Sequence, residues 1–170
     1  MNRKIIILLI GITLLFTALS AEKIKDFTLQ DADGNDVNLY EILNAGNVVV
    51  LDFWATWCIP CCKALPHLNR FHEEHDNVVV IAVSEDSKRS IKKAAKYIEK
   101  NGYTFTTLFD PDGAVKKLLG VKVMPETFYI LPDGEIYFHH VGYKEGEEIG
   151  MEEELNALLE SLETPQQPQE

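Results

Sequence analysis

The run VVVLDFW, Val48 to Trp54, sets one carboxylate among six apolar residues, and three residues later comes Cys58-Ile59-Pro60-Cys61-Cys62. Its β-branched and aromatic content reads as a strand, too apolar for the edge of a sheet, so both of its faces must be covered. A buried strand that hands over directly to a helix calls for helices packed on either side of a sheet. VVVLDFW is therefore the candidate central strand.

The rest of the chain supplies those layers. A helix from about Cys58 to Glu74 precedes the strand NVVVIAVS, and a second helix spans SKRSIKKAAKYIEKNG and stops at Gly102. Strand, helix, strand, helix implies parallel pairing. A short strand near YTFTTLF and a small helix in DGAVKKLLG follow, and ETFYILPDGEIYFHHVG reads as an antiparallel hairpin turning at Pro132-Asp133-Gly134. DFTLQDADGNDVNL reads as an N-terminal hairpin around Asp33-Gly34. The expectation is an α/β domain over about residues 23–163, with a mixed central sheet flanked by helices.

Cys58 and Cys61, three apart at a helix start, lie on nearly the same helical face, where a disulfide needs no backbone rearrangement. A C-x-x-C at a strand-to-helix turn is suited to reversible redox chemistry. Cys58, in the first turn, meets unpaired backbone N–H groups and the positive end of the helix dipole, which favour thiolate and make it the attacking sulfur. Cys61, deeper in the helix, would resolve the mixed disulfide that Cys58 forms. Pro60 fits because first-turn N–H groups have no intrahelical partner to lose. Neighbouring cysteines such as Cys61 and Cys62 are about 3.8 Å apart at Cα, closer than disulfides usually adopt. A Cys58–Cys62 bridge, one helical turn apart, stays open.

Asp52, inside the apolar strand, should be buried with a raised pKa, able to accept the Cys61 proton during resolution. A purely structural carboxyl, satisfied by a lysine or a backbone amide, fits its position as well. Pro125 stands between GVKVM and the strand ETFYIL, where a tight turn enters the sheet.

At the N-terminus, Arg3 and Lys4 precede an uncharged apolar run that ends in small residues at Ala18, Ser20 and Ala21. That is the layout of a secretory signal, with cleavage after Ser20. A retained membrane anchor is the alternative, since Ile5 to Ala21 just reaches the ~17 residues a spanning helix needs. Without residues 1–20 the balance is 14 Lys and Arg against 27 Asp and Glu, which argues against nucleic acid as a partner. Much of the acidic excess lies near the C-terminus, where Met151, Leu155, Leu158, Leu159 and Leu162 form the apolar face of a helix with a solvated carboxylate face. TPQQPQE, residues 164–170, reads as a disordered tail.

VVLDFWATWCIPC, followed by a Met-Pro before a β-strand, resembles the thioredoxin superfamily over about residues 24–162. Within it the chain is most similar to the TlpA/ResA-like exported thiol:disulfide oxidoreductases. The separation of 64 positions from Cys61 to Pro125 leaves room for the helix and strand that this branch inserts before its cis-proline loop. The resemblance implies that Pro125 is cis and lies against the cysteine pair, and that the Met124 backbone hydrogen-bonds an extended substrate. It further implies that Trp57 shapes the surface beside Cys58 and that Asp52 matches the buried acid of thioredoxins. Protein thiols and disulfides would be the substrates, with an upstream membrane or exported thiol donor and no cofactor or metal. Ile59-Pro60 offers no charged or histidine side chain to stabilise the Cys58 thiolate, which favours a reductant over an oxidant. Two positions depart from the pattern. Ala64 stands where many cytochrome-maturation members carry glutamate. Glu126 replaces a small hydroxyl residue after Pro125, and would set a negative charge at the substrate groove and select against acidic partners.

Other functions of the same fold fit less well. A peroxide-reducing enzyme would need Pro-x-x-x-Thr-x-x-Cys, and no such pattern precedes Cys58. A copper chaperone could use Cys58 and Cys62 with a distal histidine. His139 and His140 are adjacent on a strand, so at most one of them could face the site. His67, His72 and His75 share the first helix and read as solvated residues.

Overall fold

The computed structural model describes residues 22–163. The proposed signal or anchor segment, residues 1–20, and the tail, residues 164–170, lie outside the described residues. Seven strands form one sheet in the order β2-β1-β5-β4-β3-β6-β7. In chain order the elements are β1 (Thr28–Gln30), β2 (Asp36–Asn38), α1 (Leu39–Asn44), β3 (Val48–Trp54), α2 (Ile59–Glu74), β4 (Val78–Ser84) and α3 (Ile91–Asn101). They continue with β5 (Thr106–Phe109), α4 (Ala114–Leu119), β6 (Glu126–Ile130), β7 (Ile136–Val141) and α5 (Glu147–Glu163).

The sheet is mixed as expected. β3 pairs parallel with β4, and β4 with β5, whereas β6 runs antiparallel to both β3 and β7. All seven residues of β3 are buried. The strand is interior, between β4 and β6, although β4 occupies the middle of the seven. The N-terminal hairpin turns where Asp33-Gly34 placed it, with the Asp31 carboxylate accepting from the backbone N–H groups of Asp33 and Asn35, each at 2.9 Å.

Alternation along β3 divides the core in two. Val48, Val50 and Trp54 pack with residues of α2, α3 and α5, while Val49, Leu51 and Phe53 pack with α1, α4 and the N-terminal segment. Both cysteines of the C-x-x-C belong to the first cluster. α5 closes that side through buried Met151, Leu155 and Leu158, and Arg70 of α2 pairs with Glu152 at 2.6 Å. Leu162, expected on the buried face, lies in the last turn of α5 and is 46% exposed. α1 is an addition to the expected elements, capped by the Asn38 side chain, which accepts from the Glu41 N–H at 3.0 Å. α3 ends as expected, at Gly102, which takes the left-handed conformation (φ 70°) and donates back to the Ile98 and Glu99 carbonyls.

Candidate active site

β3 delivers the chain to a turn, Ala55 to Trp57, that ends on Cys58 as the N-cap of α2. The Asp86 carboxylate holds this turn from beneath. It accepts from the Thr56 N–H at 2.8 Å and the Thr56 hydroxyl at 2.7 Å, and it is itself almost fully buried. The Cys58 N–H donates to the Ala55 carbonyl at 3.0 Å, which closes the turn.

Cys58 and Cys61 are joined in a disulfide with their Cα atoms 5.3 Å apart. Of the two pairings left open by spacing, the 58–61 bridge is the one formed, and Cys62 is a free thiol. The Cys58 sulfur caps the helix, accepting from the Cys61 N–H at 3.3 Å. The same N–H and the helix dipole favour negative charge on that sulfur once the bridge is reduced. Cys61 is fully enclosed and Cys58 nearly so. Beside them Trp57 and Ile59 are 65% and 73% exposed, forming an apolar rim next to the bridge.

Asp52 is fully buried in β3, on the face that carries Val50 and Trp54 toward the cysteine cluster. The Thr127 hydroxyl donates to its Oδ1 at 2.7 Å, while its Oδ2 has no hydrogen-bond partner among the described residues. Among the described residues no lysine or backbone amide satisfies it. Burial pushes its pKa up to about 7, and the Thr127 hydrogen bond opposes that shift. Asp52 thus combines enclosure, a free oxygen and a pKa in the range where a proton is held and released near neutral pH.

The Met124–Pro125 peptide bond is cis, Pro125 is buried at the entry to β6, and its carbonyl accepts from the Gly142 N–H at 2.8 Å. The Met124 side chain packs against the cluster that contains both cysteines. The Met124 amide and carbonyl take no hydrogen-bond partner among the described residues, which leaves both free for an added strand.

Glu126 is not exposed beside the cysteine pair but lines a pocket with Lys23, Lys25 and His139 on the other face of the sheet. It lies on the opposite face of β6 from Thr127, is buried, accepts from the Lys122 N–H at 3.1 Å, and pairs with His139 Nε2 at 2.8 Å. His139 stacks on Phe128, with ring centroids 4.3 Å apart, and His140 Nε2 lies 3.5 Å from Glu147. His72 bonds the Val78 carbonyl at 3.2 Å, and His67 packs against Tyr143. Among the described residues no three His, Cys, Asp or Glu side chains converge as a metal site.

Three contributors were not foreseen: Thr127, Asp86 and Tyr97. Tyr97 packs on Trp54, and burial together with the adjacent Cys62 sulfur pushes its hydroxyl pKa up. The Cys62 thiol donates to the Ala55 carbonyl at 3.8 Å.

Comparison with known proteins supports the same assignment of fold. The model of the AhpC/TSA family matches residues 21–139. The thiol-disulfide oxidoreductase ResA of Oceanobacillus iheyensis is 34% identical over 109 residues, spanning 63% of this chain and 55% of that protein. The sporulation thiol-disulfide oxidoreductase A of Bacillus subtilis is 29% identical over 126 residues, spanning 72% and 74%. Among solved structures, a Chlorobium tepidum protein described as a thiol:disulfide interchange protein DsbE superposes with a TM-score of 0.74 at 35% identity, covering 82% of this chain and 96% of that one.

Proposed function

The chain belongs to the AhpC/TSA family, and on that footing we propose that it is an exported thiol:disulfide oxidoreductase that works on protein substrates through Cys58 and Cys61. The observation that carries the proposal is the Cys58–Cys61 bridge at the start of α2, with the outer sulfur capping the helix. The two sequence relatives named above are thiol-disulfide oxidoreductases. Export rests on the signal-like residues 1–20, with a retained anchor as the alternative form. No helix among the described residues is long and apolar enough to cross a membrane.

In the reduced protein the Cys58 thiolate attacks one sulfur of a substrate disulfide. A Cys58–substrate bond forms, the substrate S–S bond breaks, and the leaving sulfur takes up a proton. The Cys61 thiol then gives its proton to Asp52 and attacks the Cys58 sulfur, forming the internal bridge and expelling the second substrate sulfur. Two electrons have passed from the cysteine pair to the substrate, and an upstream thiol donor must return them. Met124 and Pro125 hold the substrate strand, and Trp57 covers the reacting sulfur from the side. The free Met124 amide and carbonyl and the apolar exposure of Trp57 support those roles.

Reduction of substrates, rather than their oxidation, is the direction proposed. Among the described residues the Cys58 sulfur accepts a hydrogen bond from the Cys61 N–H, and Ile59-Pro60 adds no charged or histidine side chain to stabilise a thiolate. Titration in graded thiol buffers, with alkylated cysteines located by mass spectrometry, tests both parts. A two-electron Cys58–Cys61 couple near about −250 mV is expected, whereas one near about −120 mV would make the protein a disulfide donor. Failure to form an intramolecular disulfide would remove the oxidoreductase reading.

A further inference from the structure

Residues 88–101, which include α3, hold six of the chain's 16 Lys and Arg residues, Lys88, Arg89, Lys92, Lys93, Lys96 and Lys100, against the single carboxylate of Glu99. The rest of the molecule is strongly acidic. Four of these side chains, Lys92, Lys93, Lys96 and Lys100, line one groove of about 440 Å³ together with Thr56 and Tyr97. All four lysines are exposed, and none forms an ion pair among the described residues.

The groove is joined to the redox centre by its other two residues. Thr56 belongs to the turn that presents Cys58 and is fixed there by Asp86. Tyr97 packs against Trp54 and neighbours Cys62 on α2. Lysine stems and the Tyr97 ring give the groove an apolar floor, while the ammonium groups form its rim. A ligand held here runs into the turn before Cys58.

We propose that this lysine face of α3 docks an acidic segment of the protein that exchanges disulfides with Cys58. The proposal rests on the oxidoreductase reading above and names the kind of partner. With Glu126 buried and paired and Glu145 tied to Lys63, the unpaired exposed charge lining the groove beside the redox turn is positive. A short acidic segment is the occupant that fits. Screening over about 8 Å at physiological ionic strength lets it respond to the local lysines. A long polyanion such as nucleic acid would also meet the carboxylates of the surrounding surface.

The test uses two disulfide-bonded peptides of one sequence, flanked either by Asp and Glu or by Asn and Gln, each offered to the reduced full chain. At low salt the acidic peptide should react about tenfold faster than its neutral twin, as steering by a local patch allows. That advantage should vanish at about 0.5 M salt, where the Debye length has shrunk to a few ångströms. It should also vanish in Lys92→Gln/Lys96→Gln, whose helix propensity is unchanged, and persist in Lys117→Gln/Lys144→Gln, which removes the same charge outside the groove.

The net negative charge taken alone predicts the opposite order, so a neutral peptide reacting as fast as the acidic one, or faster, overturns the proposal. Equal losses in the two double variants overturn it too, by showing a bulk charge effect. If neither peptide is reduced, the oxidoreductase reading falls and takes the docking proposal with it.

Discussion

Asp52→Asn should make the protein more stable and less active, and the size of the first effect depends on pH in a way the structure fixes. Burial pushes the Asp52 carboxyl up to about 7 from its ordinary 3.8. The folded state therefore binds its proton more tightly than the unfolded state does, and stability falls as pH rises between those values. At about 1.36 kcal/mol per pKa unit, the buried carboxylate costs roughly 0.5 kcal/mol at pH 4 and roughly 4 kcal/mol at pH 8, relative to a neutral group. Asparagine is neutral at both pH values and nearly isosteric. Its altered contact with Thr127 adds a constant offset that cancels when the two pH values are compared. Urea unfolding of both proteins at pH 4 and pH 8 should then show a variant advantage larger by roughly 3–4 kcal/mol at the higher pH, equivalent to about 10 °C in Tm. Glu85, also pushed up to about 7 by burial and by the charge of Asp110, titrates in both proteins and drops out of the difference. With the proposed proton acceptor gone, the variant should release its mixed disulfide more slowly while the first attack keeps its rate. An advantage that stays flat within about 1 kcal/mol across the pH range would refute the reasoning, because a buried ionised carboxylate must carry a cost.

Three other substitutions probe separate parts of the structure. Asp86→Ala leaves the Thr56 N–H and hydroxyl without their acceptor, so a loss of roughly 1–3 kcal/mol is expected, along with slower exchange at Cys58; unchanged unfolding midpoints would show that the turn is held by other contacts. Gly134→Ala places a Cβ against the Tyr40 hydroxyl at a backbone φ of +88°. Left-handed strain alone costs about 1–2 kcal/mol, and Tyr40 must also release its hydrogen bond to the Ile24 carbonyl, so a destabilisation below the strain term would contradict the packing. Cys62→Ser should leave the two-electron couple in place, because the bridge joins Cys58 and Cys61; loss of disulfide formation by alkylation and mass spectrometry would mean that Cys62 is the resolving thiol.

The alternation of strands and helices was legible because each long element carries its own period. β3 and β4 are apolar runs bounded by turn residues, and α3 repeats its buried positions at Ala94 and Ile98. The spacing of Cys58 and Cys61 and the dipole position of Cys58 needed only local geometry. α1 escaped because six residues give too little periodicity, and its cap, Asn38, is also the last residue of a strand. Thr127 and Asp86 escaped for a different reason. They lie 75 and 30 residues from the groups they bond, so only the register of β6 on β3 and the return of the chain after β4 bring them in. The expected charge of Glu126 at the groove failed on the same ground: which face a strand residue takes is decided by pairing.

That pairing is itself constrained by chemistry. In the observed register Asp52 stands opposite Thr127, Leu51 opposite Phe128 and Phe53 opposite Glu126. Because side chains alternate, a one-residue slip of β6 would exchange its two faces. In one direction Asp52 would face Glu126, two buried carboxylates with no cation between them, and the like charges would add to the desolvation cost of each. In the other it would face Phe128 and lose the Thr127 hydroxyl, its side chain's one hydrogen bond among the described residues. The same slip would pull Glu126 away from His139 and the Lys122 amide, which hold it on the far side of the sheet. Each alternative leaves a buried polar group worse paired than the native one, so the polar residues select the same register as the apolar ones do. Pro125 precedes Glu126 directly, so the register that gives Asp52 its hydroxyl partner also fixes where the Met124–Pro125 turn meets the cysteine cluster.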